Sequence, residues 1–258
     1  MHPFFSIEDF ESHAPHWKLV YFTETDSTNE QAKQHILSSS QTQKDALSGT
    51  VFLTDKQTQG KGRRNNQWTS SPGEDLLFTV VIETELPLAE IHKLATTTAL
   101  ALSLSLEKMG LNPMIKFPND IYINDKKTAG ILIEQIEAFT LIGVGINVNS
   151  QPTIETATSL SQQQISHSTI SRESLLALFL GKLAAKLSLC NDHYLSIQKS
   201  LQKYDLFYQK RIQFTQDSEN YTGIAKGVSK NGYLLVLLDN DDSTEYIEVH
   251  NGHTFRLI

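Results

Sequence analysis

Three positive charges in four positions, Lys61, Arg63 and Arg64, stand within the segment Gln57-Thr-Gln-Gly-Lys-Gly-Arg-Arg-Asn-Asn-Gln-Trp68. In a chain whose net charge is -7, a local cluster of this kind suits one task, holding the anionic oxygens of a phosphate or carboxylate. Gly60 and Gly62 let the backbone approach a ligand closely, and Trp68 offers a flat face for a base. The segment lacks the GK[ST] ending of a P-loop and the third glycine of the dinucleotide fingerprint. Composition alone leaves an exposed basic loop around a buried tryptophan equally open.

A second polar segment runs from Lys116 through Phe117, Pro118, Asn119 and Asp120 to Lys127 and Gly130. Pro118 biases Phe117 towards an extended conformation, which leaves Asn119 and Asp120 at a strand entrance and Lys127 on the return strand. One hairpin would then present ammonium, amide and carboxylate groups. A lysine there can neutralise a carboxylate or a developing negative charge, and Asp120 can hold Mg²⁺ together with phosphate oxygens. A solvated hairpin with exposed lysines is the plain alternative. Ser27 and Thr28 are ligand hydroxyls, a helix cap, or both; Ser27 followed by Glu30 fits a capping box. Gly143 and Gly145 interrupt an apolar strand, as a bulge or a close approach by something flat requires, with Asn147 and Asn149 on one face.

Other chemistries are poorly served. Cys190, the lone cysteine, rules out an internal disulfide and reads as a buried structural thiol. The nine histidines form no HExxH or paired spacing, and no GxSxG hydrolase elbow is present. The acidic charge balance argues against broad attraction to DNA or anionic membranes. The N-terminus MHPFFSIEDFESH carries acids where a secretory leader would be basic, and no apolar run is long enough to span a bilayer. A soluble, cytoplasmic protein is expected.

The elements that must position these residues are legible from period and turn chemistry. With 39% hydrophobic residues in 258, roughly 100 apolar side chains are available for a core. Strands are expected at 16–25, 49–55 and 75–84, in MIKF, IYI, TAGILIEQI and FTLIGVGINV, with Asn124-Asp125 turning a hairpin. Helices are expected after Ser27, over 88–109, over 171–190 and over about 193–208, with 149–171 as a loop. After Lys210 the pattern changes to short strands, RIQFT, YTGIAKGV, GYLLVLLD and EYIEVHNG, with a turn at Asn231-Gly232. This divides the chain into 1–208, an α/β (α+β) unit, and 209–258, a small β-barrel.

Taken together, DSTN at 26–29, QTQGKGRRNNQW at 57–68, KFPND at 116–120, KTAGILIE at 127–134 and GVGINVN at 143–149 resemble the biotin-protein ligases in order, spacing and type. The resemblance covers essentially the whole chain. It implies a class II aminoacyl-tRNA synthetase-like mixed sheet packed with helices, followed by an SH3-like barrel. It implies an enzyme that joins biotin to ATP as biotinyl-AMP, then transfers biotin to a lysine of a biotin carboxyl carrier protein of a biotin-dependent carboxylase. Only 25 residues precede DSTN, too few for a DNA-binding domain of about 60 residues, so a monofunctional ligase without DNA as a partner is expected. A homodimer is compatible with the family.

Carried over residue by residue, the resemblance assigns Ser27, Thr28, Asn29 and Gln57 to biotin's ureido ring, and Gly60, Lys61, Gly62 and Arg63 to a loop over its carboxyl and the phosphate. Gly130 would leave room for the biotin tail. Lys127 and Arg63 would be catalytic, stabilising charge during adenylation. Arg64, Lys116 and Asn119 would join Lys61 and Arg63 on ATP, with Trp68 stacked on adenine, Asn147 beside it, and Asp120 on Mg²⁺. Two departures stand out. The family's GRGRRG reads GKGRRN, so Lys61 keeps a charge but loses a bidentate fork, while Asn65 still tolerates a left-handed backbone. The family's KWPND reads KFPND. A lipoate-protein ligase is the nearest rival reading; a non-catalytic nucleic-acid-binding module is the more distant one.

Overall fold

The computed structural model describes residues 5–84, 87, 90–164, 169–190, 193–239, 246–250 and 255–258. The opening of the expected 88–109 helix and both ends of the EYIEVHNG strand lie outside these residues. In chain order the elements are α1 (Ile7–His13), β1 (Lys18–Phe22), α2 (Thr28–Ser38), α3 (Gln41–Lys44), β2 (Thr50–Thr54), β3 (Leu76–Glu83), α4 (Ile91–Lys108), β4 (Met114–Lys116), β5 (Asp120–Ile123), β6 (Lys126–Ile136) and β7 (Phe139–Ile146). They continue with α5 (Leu160–Gln163), α6 (Arg172–Cys190), α7 (Tyr194–Leu201), β8 (Arg211–Gln216), β9 (Glu219–Val228), β10 (Leu234–Leu238), β11 (Tyr246–Val249) and β12 (Arg256–Leu257).

A seven-stranded sheet runs in the order β1-β2-β3-β7-β6-β5-β4. Only β1 and β2 pair in parallel, joined by the α2 crossover; the other pairs are antiparallel. Strand period sorts its side chains. Val51, Leu53, Phe78, Val80, Ile142 and Val144 turn to one face and pack with Leu100, Leu102, Phe179 and Leu183 of α4 and α6. Phe52, Val81 and Leu141 turn to the other face, under Ala32 and Ile36 of α2. Helices therefore cover most of one face and the second face only in part. The uncovered part of that second face carries Thr79, Gly143, Gly145 and Gly130, and it becomes the floor of the site.

Turn chemistry behaves as the sequence predicts: Asn124 and Asp125 both have left-handed φ, 48° and 61°, between β5 and β6, as a two-residue hairpin turn requires. The expected helix at 193–208 is shorter, ending at Leu201, because its next residues bond sideways: Ile115 N donates to Tyr204 O and Leu206 N to Ile115 O. The 149–171 connector contains the short helix α5, fastened by a Ser159/Gln162 capping box.

The C-terminal strands form a separate five-stranded antiparallel sheet, β11-β10-β9-β8-β12. Its core is Phe207, Ile212, Phe214, Ala225, Leu234, Val236 and Val249, and it also holds Phe117 from the KFPND segment. The Phe117 and Phe255 rings meet edge-on at 6.5 Å. Cys190 is buried and takes a Thr97 hydroxyl contact at 3.5 Å, in keeping with a structural thiol. No helix among the described residues is long and apolar enough to cross a membrane.

Candidate active site

The floor of the site is built from two missing side chains. Gly130 on β6 and Gly145 on β7 are direct register partners, so their bare Cα atoms sit side by side on the uncovered sheet face. The Trp68 indole occupies the gap: a Cβ on Gly145 would lie 2.6 Å from its Cε2, and one on Gly130 3.1 Å from its Cζ3. The flat group that the glycines admit is thus the chain's own tryptophan, and Gly130 makes room for that ring in the first place. Trp68 Nε1 is buried with no hydrogen-bond partner. Gly143 serves in the same way for Asn29, whose Oδ1 would stand 2.4 Å from a Cβ there.

The start of α2 is fixed across the site. Ser27 makes no side-chain cap bond, contrary to the capping-box expectation; the Thr28 N–H donates to Gln57 Oε1 at 2.9 Å, and Asp26 Oδ1 accepts from Ser27 N and Gln31 Nε2. These bonds hold the Asp26 carboxyl below the usual carboxylate range, Gln31 contributing most. Glu30, released from a capping role, pairs with Lys61 at 2.7 Å. Asn29 is buried, donating to Glu134 Oε2 at 2.6 Å and lying 2.5 Å from the Thr79 hydroxyl. Its side chain orders the site's framework.

The Gln57–Trp68 segment folds back on itself. Trp68 N donates to Gly60 O at 2.9 Å and Gly62 N to Asn66 O at 2.7 Å, around a 3₁₀ turn at Arg63–Asn65. Gly60 is bare because a Cβ would strike Trp68 O at 2.6 Å, a self-contact within the loop. Arg64, rather than Asn65, takes the left-handed backbone, with φ 57°. Lys61 reaches back to α2, and its pairing with Glu30 raises its pKa. Arg63 turns the other way, donating to Asn119 Oδ1 at 2.9 Å; burial and the neighbouring Arg64 charge pull its guanidinium below the ordinary value, against the opposing pull of Asp120.

The second segment completes the wall. Asn119 is locked by Nδ2 donating to Ile131 O at 2.8 Å, which aims its carbonyl at Arg63. Lys127 Nζ pairs with Asp120 Oδ1 at 2.7 Å and stands 5.6 Å from the Trp68 ring centroid. Lys116 lies over Tyr122 at 5.2 Å. No group of three or more metal-ligating side chains exists among the described residues, and the Asp120 carboxylate is already engaged by Lys127.

Two cavities of about 330 Å³ each adjoin this wall, and Gln67, Trp68 and Lys127 line both. The first takes in every nominated residue except Gly60 and Asn147, and reaches from Ser27, Thr28 and Gln57 to Arg63, Lys116 and Phe255. The second is lined by Asn147, Ser150, Thr156 and Tyr122 among others. Asn147 also donates Nδ2 to Thr158 O at 3.1 Å, so it shapes the cavity wall as well as facing it. Thr79, Asp75 and Phe255 escaped the sequence reading, since none stands in a motif, while Glu134 and Glu30 stood in segments that were read without being assigned to the site.

Residues 21–150 match the biotin/lipoate A/B protein ligase family. The bifunctional ligase/repressor BirA of Bacillus subtilis (strain 168) is 38% identical over 156 residues, covering 56% of this chain and 46% of that protein. Biotin–protein ligase 1, chloroplastic, of Arabidopsis thaliana is 31% identical over 228 residues, 80% of this chain and 60% of that one. The chain thus spans about half to three-fifths of the length of these relatives. Among solved structures, the biotin protein ligase from Aquifex aeolicus in complex with biotin and ATP superposes with a TM-score of 0.75 at 26% identity, covering 93% of this chain and 98% of that one. The chain belongs to the biotin/lipoate A/B protein ligase family.

Proposed function

We propose that this protein is a biotin-protein ligase: it condenses biotin with ATP to biotinyl-AMP and pyrophosphate, then transfers biotin to a lysine of a carrier domain. The single observation that carries this reading is the shared wall of the two cavities. An acid in the first and a nucleotide in the second would meet where Lys127 and Trp68 stand. Ser27, Thr28 and Gln57 bring hydroxyl and amide groups to the lining of the first cavity, matching a cyclic urea better than the apolar dithiolane of lipoate.

The physical problem is to bring a carboxylate up to a polyanion. Lys127, one of whose three donors is taken by Asp120, would hold the carboxyl oxygen and the α-phosphate together and stabilise the charge that develops between them. Arg63, pre-aimed by Asn119, and Arg64 would neutralise the phosphates, with Lys116 beside them; Lys61 would join after leaving Glu30. Asn147 and the Trp68 face would border the base. In the second half-reaction the carrier amine attacks the activated carbonyl and AMP departs. The described residues around Asp120 do not make a metal cage, so Mg²⁺ would arrive and leave with the nucleotide's phosphates.

The larger sheet is read as synthetase-like and the C-terminal strands as an SH3-like barrel, in line with the mixed topology and the closed aromatic core around Phe214. The partner would be a biotin carboxyl carrier protein, with no role for DNA, and the compartment the cytoplasm; self-association as a homodimer is compatible. The test is pyrophosphate exchange into ATP, with biotin compared against lipoate. Exchange driven by biotin alone is expected. Exchange driven by lipoate would move the protein to the family's other branch, and none with either acid would remove the adenylation reading.

A further inference from the structure

A buried arginine outside both cavities ties the functional loop down at both ends. Arg172, the first residue of α6, puts Nη1 2.6 Å from Asp55 Oδ1 and 3.3 Å from the carbonyl of Asp75. Asp55 directly follows β2, two residues before Gln57, and Asp75 directly precedes β3, seven residues after Trp68, so one guanidinium holds both ends of the segment carrying Gln57, the basic cluster and Trp68. The two ends are also joined directly, Gly73 N donating to Asp55 O at 3.0 Å. Tyr21 donates its hydroxyl to the other Asp55 oxygen, and the side chains of Arg172 and Asp55 are only 5% and 4% exposed.

The reach goes further. Asp75, which lines the second cavity, accepts from Ser71 N at 2.8 Å and from Val148 N at 3.1 Å. The residues just before α6 grip the same strand end: Asn149 and Ile170 exchange two hydrogen bonds of 2.9 Å. The start of α6 therefore sets the relative placement of the loop and of the segment bearing Asn147, although it touches neither substrate space itself.

We propose that Arg172, through Asp55 and Asp75, is a positioning residue for the Gln57–Trp68 loop. A buried ion pair is weak grounds for a stability role, because desolvating both charges offsets much of their attraction. What this one supplies is geometry: Nη1 of a rigid planar guanidinium meets two acceptors 20 residues apart, and a lysine ammonium on a flexible stem would fix them less firmly. The catalytic half of the proposal rests on the ligase reading above; the positioning half does not.

The test compares wild type, Tyr21→Phe, Arg172→Lys and Arg172→Met, each shown folded by its thermal transition at the working temperature. Tryptic cleavage after Lys61, Arg63 and Arg64 is timed against cleavage elsewhere in the chain, without substrates. The expected order is Arg172→Met fastest, about tenfold above wild type, then Arg172→Lys, then Tyr21→Phe, with the other tryptic sites unchanged. Pyrophosphate exchange should fall in kcat in the same order, by about ten- to a hundredfold at the extreme, as a misplacement of about 1 Å entails. Loop cleavage at the wild-type rate, or uniform acceleration at every site, overturns the proposal. Should Arg172→Met fail to fold, the ranking of Arg172→Lys over Tyr21→Phe decides. Absence of exchange in wild type would sink the ligase reading and leave the cleavage test standing.

Discussion

Substituting Gly145 by alanine drives a methyl group into the Trp68 indole. The new Cβ would lie 2.6, 2.8 and 2.9 Å from Cε2, Nε1 and Cζ2, where ordinary contacts are about 3.5–4.0 Å, so ring and strand must part by about 1 Å. Strand β7 cannot supply that movement cheaply, being paired along its length with β3 and β6. The indole must therefore lift. Overpacking of this kind costs about 1–3 kcal/mol, and loss of the Lys127 contact adds about 0.5–1 kcal/mol. For a chain of this size each kcal/mol lowers Tm by about 2–4 °C. The assay is a double-mutant cycle by thermal or urea unfolding of wild type, Gly145→Ala, Trp68→Ala and the double variant. If the clash is the cause, alanine at 145 costs under about 0.5 kcal/mol once the ring is gone, giving a coupling of about 1–3 kcal/mol. An equal cost with and without the indole would refute the seat. Since Trp68 and Lys127 wall both cavities, Gly145→Ala should also raise the KM for ATP in the exchange assay.

Lys127→Ala should slow single-turnover formation of biotinyl-AMP by about a hundredfold or more, the scale of losing one charge-stabilising group; a wild-type rate would take Lys127 out of its role. Biotin with ATP should protect Lys61, Arg63 and Arg64 from trypsin, and equal cutting with and without ligand would contradict closure of the loop over the adenylate. Burial raises the Asp205 carboxyl to about 6, and its Oδ2 has no partner. The unfolded chain loses this proton near pH 4, the folded chain only near pH 6, so stability should fall by about 3 kcal/mol as pH rises across that window. Asp205→Asn should abolish that slope in denaturation measured at pH 4 and pH 7, and an unchanged slope would assign it elsewhere.

Local chemistry was the readable part of this chain. Asn124-Asp125 announces its hairpin because few residues accept a left-handed backbone, and β2 reads as a strand because TVFLT is a short run of β-branched, aromatic and aliphatic residues, all five of which the fold buries. Helix α1 escaped notice, although Ser6 caps it by accepting from Asp9 N at 3.2 Å, a local signal that was present. The misreadings share one cause, tertiary approach from distant residues. Gly130 looked like room for a ligand's tail because nothing nearby in the chain says that the Trp68 ring lies against it. Ser27 looked like a cap because Gln57, which takes the Thr28 N–H, lies 29 residues away from it. Arg172 carried no signal, an ordinary arginine at a helix start whose partners are more than 90 positions distant.

The insertion of Phe117 into the C-terminal sheet bears on how such a protein can be recombined. The segment that orders Asn119 and Asp120 is numbered with the large sheet but packs with Phe207 and Phe255 beside the small one. A chimera joined near residue 208 would separate a phenyl ring from the apolar side chains it packs among, and a C-terminal sheet shaped around a different residue at 117 would offer the wrong volume. Interchange of the C-terminal strands between relatives should therefore succeed only when residue 117 is exchanged with them, so that the two units are inherited as one although the chain between them looks divisible.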